Sequence, residues 1–97
     1  MTKTLTETRA AVAALLEDAE RAAGTYSDDP QGYHARHRFE MERIGRQLKA
    51  DFGMAINDRW DGASVRLAGI RSSSTTGLSG ALRNWLRAAD QRLAKEG

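Results

Sequence analysis

Apolar residues fall at helical spacing twice in the first half of the chain. Leu5, Val12, Leu15, Leu16, Ala19 and Ala23 form one stripe, and Tyr33, His37, Met41, Ile44, Leu48 and Phe52 form another. Each stripe predicts an amphipathic helix. Thr4 followed by Glu7 fits a capping box, and Gly24 supplies a stop, which bounds the first helix at about 4–24. Asp29-Pro30 reads as an N-cap followed by Pro at the first helical position. With Gly53 as the stop, the second helix covers about 30–52. Met1 to Lys3 are expected to fray, and 25–28 form a short connection. Phe39 lies off the second stripe, where it either extends the buried face or joins a partner surface. Gly45 costs a helix about 1 kcal/mol relative to Ala, so it marks a close crossing with the first helix or with the sheet.

The period then drops to two. Alternation over about 54–70 surrounds Asp61-Gly62, a dipeptide suited to the type I′ turn of a hairpin. That turn pairs Trp60 with Ala63, Asp58 with Val65, Ile56 with Leu67 and Met54 with Gly69. Met54, Ile56, Trp60, Val65 and Leu67 then share an inward face, with Asp58 at its solvated rim. Ala55, Asn57, Arg59, Ser64, Arg66 and Ala68 share the outer face. In the hydroxyl-rich run after Arg71, Ser74 or Thr75 is the expected N-cap of a last helix over about 75–95. Leu78, Leu82, Trp85, Leu86, Ala89 and Leu93 line one side of it. The predicted architecture is a single α+β domain over 1–97 of order ααββα, in two layers, the hairpin laid on the helices. Both hairpin edges lack a neighbouring strand. A second copy, giving a homodimer through the hairpin edge, or a partner protein can add one.

Composition narrows the function classes. Ninety-seven residues make one domain with a modest core and no room for a large buried active site. The absence of cysteine excludes disulfides and thiolate metal sites, and the simplest location is cytoplasmic. No apolar run approaches a membrane span, and no signal-peptide segment is expected at the N-terminus. Abundant Arg and Ala fit a GC-rich bacterial or phage genome. The net charge of +2 is concentrated toward the hairpin and the last helix. It falls short of the like-charge blocks that mark nucleic-acid tails.

No constellation carries catalytic chemistry. His34, His37 and Glu40 have a spacing that can bring three ligands together on a helix, but His37 belongs to the core stripe. Asp58 and Asp61 are two carboxylates without a cleft between them. Serines 72 to 74 and 79 have no His base at recognisable spacing. The 75–80 segment opens a helix with glycines but lacks the Lys-Ser/Thr ending of a phosphate loop. The expectation is no enzyme, no metal and no cofactor. The remaining set is Arg59, Asp61, Arg66 and Arg71 on the hairpin, with Arg83 and Arg87 one turn apart on the last helix. These residues are a solvated face, a contact for an acidic protein surface, or a contact for phosphates. Trp60 and Trp85 are expected to point inward, which argues against stacking on single-stranded bases. No helix-turn-helix is present, because the last helix follows a hairpin.

In format the chain resembles the small stand-alone proteins of phages and mobile elements, including anti-CRISPR proteins. The resemblance rests on a chain under a hundred residues, no cysteine, a helix–helix–hairpin–helix order and no catalytic motif. That group shares no residue motif, so no site is carried over. Many of its members are strongly acidic, and this chain at +2 departs from them. The resemblance implies direct docking on a protein complex such as CRISPR-Cas or other nucleic-acid-handling machinery, with the hairpin and its arginines as the contact. The alternative is a small DNA- or RNA-binding protein using the same arginines.

Overall fold

The computed structural model describes residues 4–25, 27 and 29–96. Helices α1 (Leu5–Ala23) and α2 (Pro30–Phe52) are followed by strands β1 (Ala55–Arg59), β2 (Gly62–Leu67) and β3 (Ile70–Ser74), then helix α3 (Leu78–Glu96). The class is α+β, with one antiparallel sheet of order β1-β2-β3. The order is therefore ααβββα. The expected two-stranded ααββα arrangement lacks a strand, because residues 70–74 pair with β2 along their whole length. The expected fraying of Met1 to Lys3 lies outside the described residues, as do Tyr26 and Asp28 of the connection after α1.

The helix ends follow local chemistry. Thr4 Oγ1 accepts the Glu7 N–H at 3.1 Å, and the Asp29 carboxylate accepts the Gly32 N–H at 3.1 Å with Pro30 opening α2. Gly53 adopts the left-handed conformation at the end of α2, with φ 70°. Arg36 Nε donates to the Ala23 carbonyl at 2.8 Å. A cation from α2 thereby satisfies the last turn of α1, where carbonyls lack partners and the helix dipole is negative. Arg9 with Asp90, at 2.8 Å, and Arg83 with Glu20 tie α1 to α3. Such exposed pairs contribute about 1 kcal/mol or less each.

The third strand explains two further departures. Ala68 and Gly69 both have positive φ, 53° and 77°, and form the tight turn that pairs Leu67 with Ile70. The serines of β3 have low intrinsic strand preference. Pairing with β2 holds them, and α3 packs against the strand: Asn84 Nδ2 donates to the Ser73 carbonyl at 2.9 Å, while Ser72 and Ser74 are half-buried and Ser73 stays exposed. Ser74 ends the strand instead of capping a helix, its Oγ accepting the Thr76 N–H at 3.1 Å. Helix α3 accordingly starts at Leu78 and not near Thr75. Its first intrahelical bond runs from the Ala81 N–H to the Gly77 carbonyl at 3.1 Å.

The first hairpin turns one residue earlier than expected. Its register pairs Arg59 with Gly62, Asp58 with Ala63 and Ile56 with Val65, leaving Trp60 and Asp61 as the turn. Each residue of β1 is offset by two from its expected partner. An even slip keeps every side chain on its face, so alternation alone cannot choose between the two registers. Gly62 serves a longer-range contact. A Cβ there would lie 2.8 Å from the Ser74 carbonyl oxygen at the end of β3.

The core is centred on Trp85, Ile44, Leu48, Met54, Leu82, Val12 and Val65, all fully buried. Trp85 Nε1 donates to the Leu67 carbonyl at 3.0 Å, so the largest core side chain also has its polar atom satisfied. Ala19, Ala23, Ala81 and Ala89 are completely covered; their small side chains let the helix backbones approach. Gly45 marks a close approach to the sheet and α3. A Cβ on it would meet Ile56 Cδ1 and Leu78 Cδ2, each at 3.3 Å.

Candidate functional site

The outer face of the sheet gathers part of the expected set. Strand alternation, with Ala55 opposite Arg66 and Arg66 opposite Arg71, puts Arg59, Arg66 and Arg71 on one side. All three are exposed, and among the described residues none pairs with a carboxylate. Asn57, Arg59, Asp61, Ser64, Arg71 and Ser73 line one shallow concavity on this face. Arg66 and Arg71 share a second with Ala55 and Gly69. Asp61 sits in the turn beside Trp60.

Trp60 corrects the expected inward face. It is 98% exposed, because the turn at 60–61 takes it out of the strand pairing. The argument against base stacking, which rested on an inward Trp60, falls with it; Trp85 does point inward.

Arg83 and Arg87 do not join this surface. Helix α3 packs on β2 and β3 through Trp85, on the opposite side of the sheet from the three arginines. Arg83 is paired with Glu20 of α1, while Arg87 is exposed. The six residues therefore divide between a sheet face and a helix surface.

The histidine motif does not assemble as a metal site. Glu40 is held by Arg43 at 2.9 Å, and among the described residues no group of three His, Asp or Glu side chains has metal-binding geometry. Tyr33 stacks on His37 with ring centroids 5.6 Å apart. Burial lowers the His37 pKa, and the neighbouring His34 lowers it further.

A groove of about 660 Å³ lies between α2, the inner face of β1 and the start of α3. Met41, Gly45, Ile56 and Leu78 supply its apolar lining, and Arg38, Glu42, Arg46, Lys49 and Asp58 its charged rim. All five residues of β1 are exposed, including Ile56 at 37%. The sequence reading did not single this groove out. Its signal is a second stripe on α2, with Arg38, Glu42, Gly45 and Lys49 at i, i+4, i+7 and i+11. The stripe acquires meaning only once β1 is known to lie beside it. Phe39 stands 60% exposed.

Comparison with known protein families, with curated proteins and with solved structures finds no match to this chain. Among the described residues no helix is long and apolar enough to cross a membrane.

Proposed function

We propose that this chain is a non-enzymatic binding module that docks through the outer face of its sheet on an acidic surface of a partner protein. The observation that carries this is Trp60, 98% exposed at the hairpin tip beside Arg59, with Arg66 and Arg71 further along the same sheet face and, among the described residues, no carboxylate paired with any of the three. A tryptophan left in water forgoes roughly 2 kcal/mol or more of burial energy. Trp and Arg are also the residue types most enriched at the energetic centres of protein interfaces. The short chain without cysteine or a catalytic motif resembles phage-borne inhibitors, anti-CRISPR proteins among them, and supports a nucleic-acid-handling complex as the partner, inhibited by occlusion of a site or a block on its movement.

The second reading is single-stranded DNA or RNA. The exposure of Trp60 favours it, since a free indole beside Arg59 can stack on a base while the arginines along the sheet face meet phosphates.

A tagged pull-down from bacterial lysate, with and without nuclease, tests both. The docking reading expects a defined protein set that survives nuclease and is lost with Trp60→Ala or with Arg66→Glu/Arg71→Glu. Capture unaffected by these variants removes the sheet face from the proposal. Nucleic acid recovered alone, with affinity falling by orders of magnitude from low to moderate salt, selects the second reading.

A further inference from the structure

We infer that the groove between α2 and β1 takes an extended acidic segment of a partner protein, added to β1 as a fourth strand. This site lies on the other side of β1 from the arginine face and does not depend on the function proposed above.

Three observations carry the inference. The first is the open edge. β2 occupies one edge of β1, every β1 residue is exposed, and the N–H and C=O groups of the other edge have no neighbouring strand among the described residues. Main-chain pairing at such an edge provides affinity, and flanking pockets select side chains.

The second is dimension and floor. Five residues of strand extend about 17 Å, and the eleven-residue step from Arg38 to Lys49 on α2 covers about the same length. The chain folds back at Gly53, and Ile56 reaches Gly45. Gly45, with no side chain, deepens the groove, and Met41, Ile56 and Leu78 make its lining apolar. A strand laid there would direct every second side chain onto that lining.

The third is charge. Arg38, Arg46 and Lys49 line the groove and have no ion-pair partner among the described residues. They outnumber the two carboxylates of the lining, Glu42 and Asp58. Carboxylates near the two ends of the incoming strand, on the side that faces α2, would meet Arg38 and Lys49, with apolar side chains between them on the lining. A second copy fits less well: β1 offers Asp58 beside Arg59 and no net charge, and a two-fold pairing would bring a second set of α2 cations toward the first.

The test uses blocked, fluorescently labelled octapeptides. Each has Thr at every second position; at the four positions between, the Val–Glu peptide carries Glu, Val, Val and Glu, the Val–Lys peptide replaces both Glu by Lys, and two more are the Val–Glu peptide N-methylated at odd or at even positions. The expected result is saturable binding of the Val–Glu peptide, at least tenfold tighter than the Val–Lys peptide. At least one N-methylated form should lose tenfold or more, and Arg38→Glu/Lys49→Glu should lose tenfold or more. Both replaced residues are exposed, so thermal melts should coincide with the parent. Backbone amide shifts should concentrate in β1, and Trp60→Ala should bind the peptide as the parent does. Equal affinity for the Val–Lys peptide, full binding by both N-methylated forms, or no saturable binding overturns the inference. So does a dimer in sedimentation whose dissociation on dilution shifts the β1 amides.

Discussion

The two edges of the sheet are strands of five residues each, and the protein treats them in opposite ways. β3 packs against α3, with Ile70 buried and Asn84 bonded to the Ser73 carbonyl. β1 has a strand on one edge only, all five of its residues are exposed, and its turn carries Trp60 almost wholly in water. The covered edge is the less obvious strand by composition, since three of its five residues are serine. Burial follows from what packs on a strand and not from the strand's own preference. The covered edge belongs to the folding core, and the bare edge has a small share in stability, which frees it for contact.

Replacing the two tryptophans is the sharpest way to break this comparison. Trp85→Ala should cost about 3–5 kcal/mol and lower Tm by roughly 12 °C or more for a domain of this size. Trp60→Ala should stay within about 0.5 kcal/mol of the parent. Similar losses at both sites would show that the hairpin tip is part of the core. Gly62 tests the seam where the first hairpin meets the end of β3. A Cβ there is strained by φ 153° and lies 2.8 Å from the Ser74 oxygen. Gly62→Ala should therefore cost about 1–3 kcal/mol in denaturant melts, and a neutral variant would remove the contact from the account.

Hydrogen exchange should separate the edges without mutation. β1 amides bonded to β2 should exchange at least about tenfold faster than those joining β2 to β3, because few buried contacts oppose local opening of β1. Equal protection would contradict the difference between the edges. The second turn offers a gain. Ala68 holds φ 53° before Gly69, and Asn tolerates that conformation better. Ala68→Asn should raise stability by about 0.5–1 kcal/mol, and a loss would mean that Ala68 is held by something other than the turn. The smallest effect concerns pH. His37 has a folded pKa below its unfolded value because burial and the nearby His34 disfavour its charge. Its contribution to stability is present above the unfolded value of about 6.5 and falls as pH drops from there toward the folded value. His37→Gln should flatten that part of the Tm-against-pH curve, and an unchanged slope would assign the dependence elsewhere.

Much of this architecture was legible in the residues. The bounds of α1 and α2 follow from Thr4, Gly24, Asp29-Pro30 and Gly53, because caps act through atoms three or four residues away. The outer placement of Arg59 and Arg66 survived the register change, because an even slip preserves faces. The first turn was misplaced because Asp61-Gly62 suits a tight turn locally, while the glycine is needed where the backbone passes Ser74. β3 was hidden because serines and threonines after a strand are also what a helix cap looks like. The arginine set was read as one patch, and the structure divides it, with Arg83 engaged by Glu20. The α2 stripe of Arg38, Glu42, Gly45 and Lys49 could not be read as a groove from the residues, since the other walls come from β1 and the start of α3.

By itself the sequence determined three amphipathic helices, an alternating stretch folded into a hairpin, and an α+β class. Those properties depend on periodicity and on hydrogen bonds within a few residues. The tertiary structure decided the third strand, the choice between two registers with the same inward face, and which tryptophan is buried. Each of these was settled by a contact between residues distant in sequence: α3 over the serines of β3, Gly62 against Ser74, and Trp85 on Leu67. Local preference is nearly neutral in these cases, so the energy of packing made the choice.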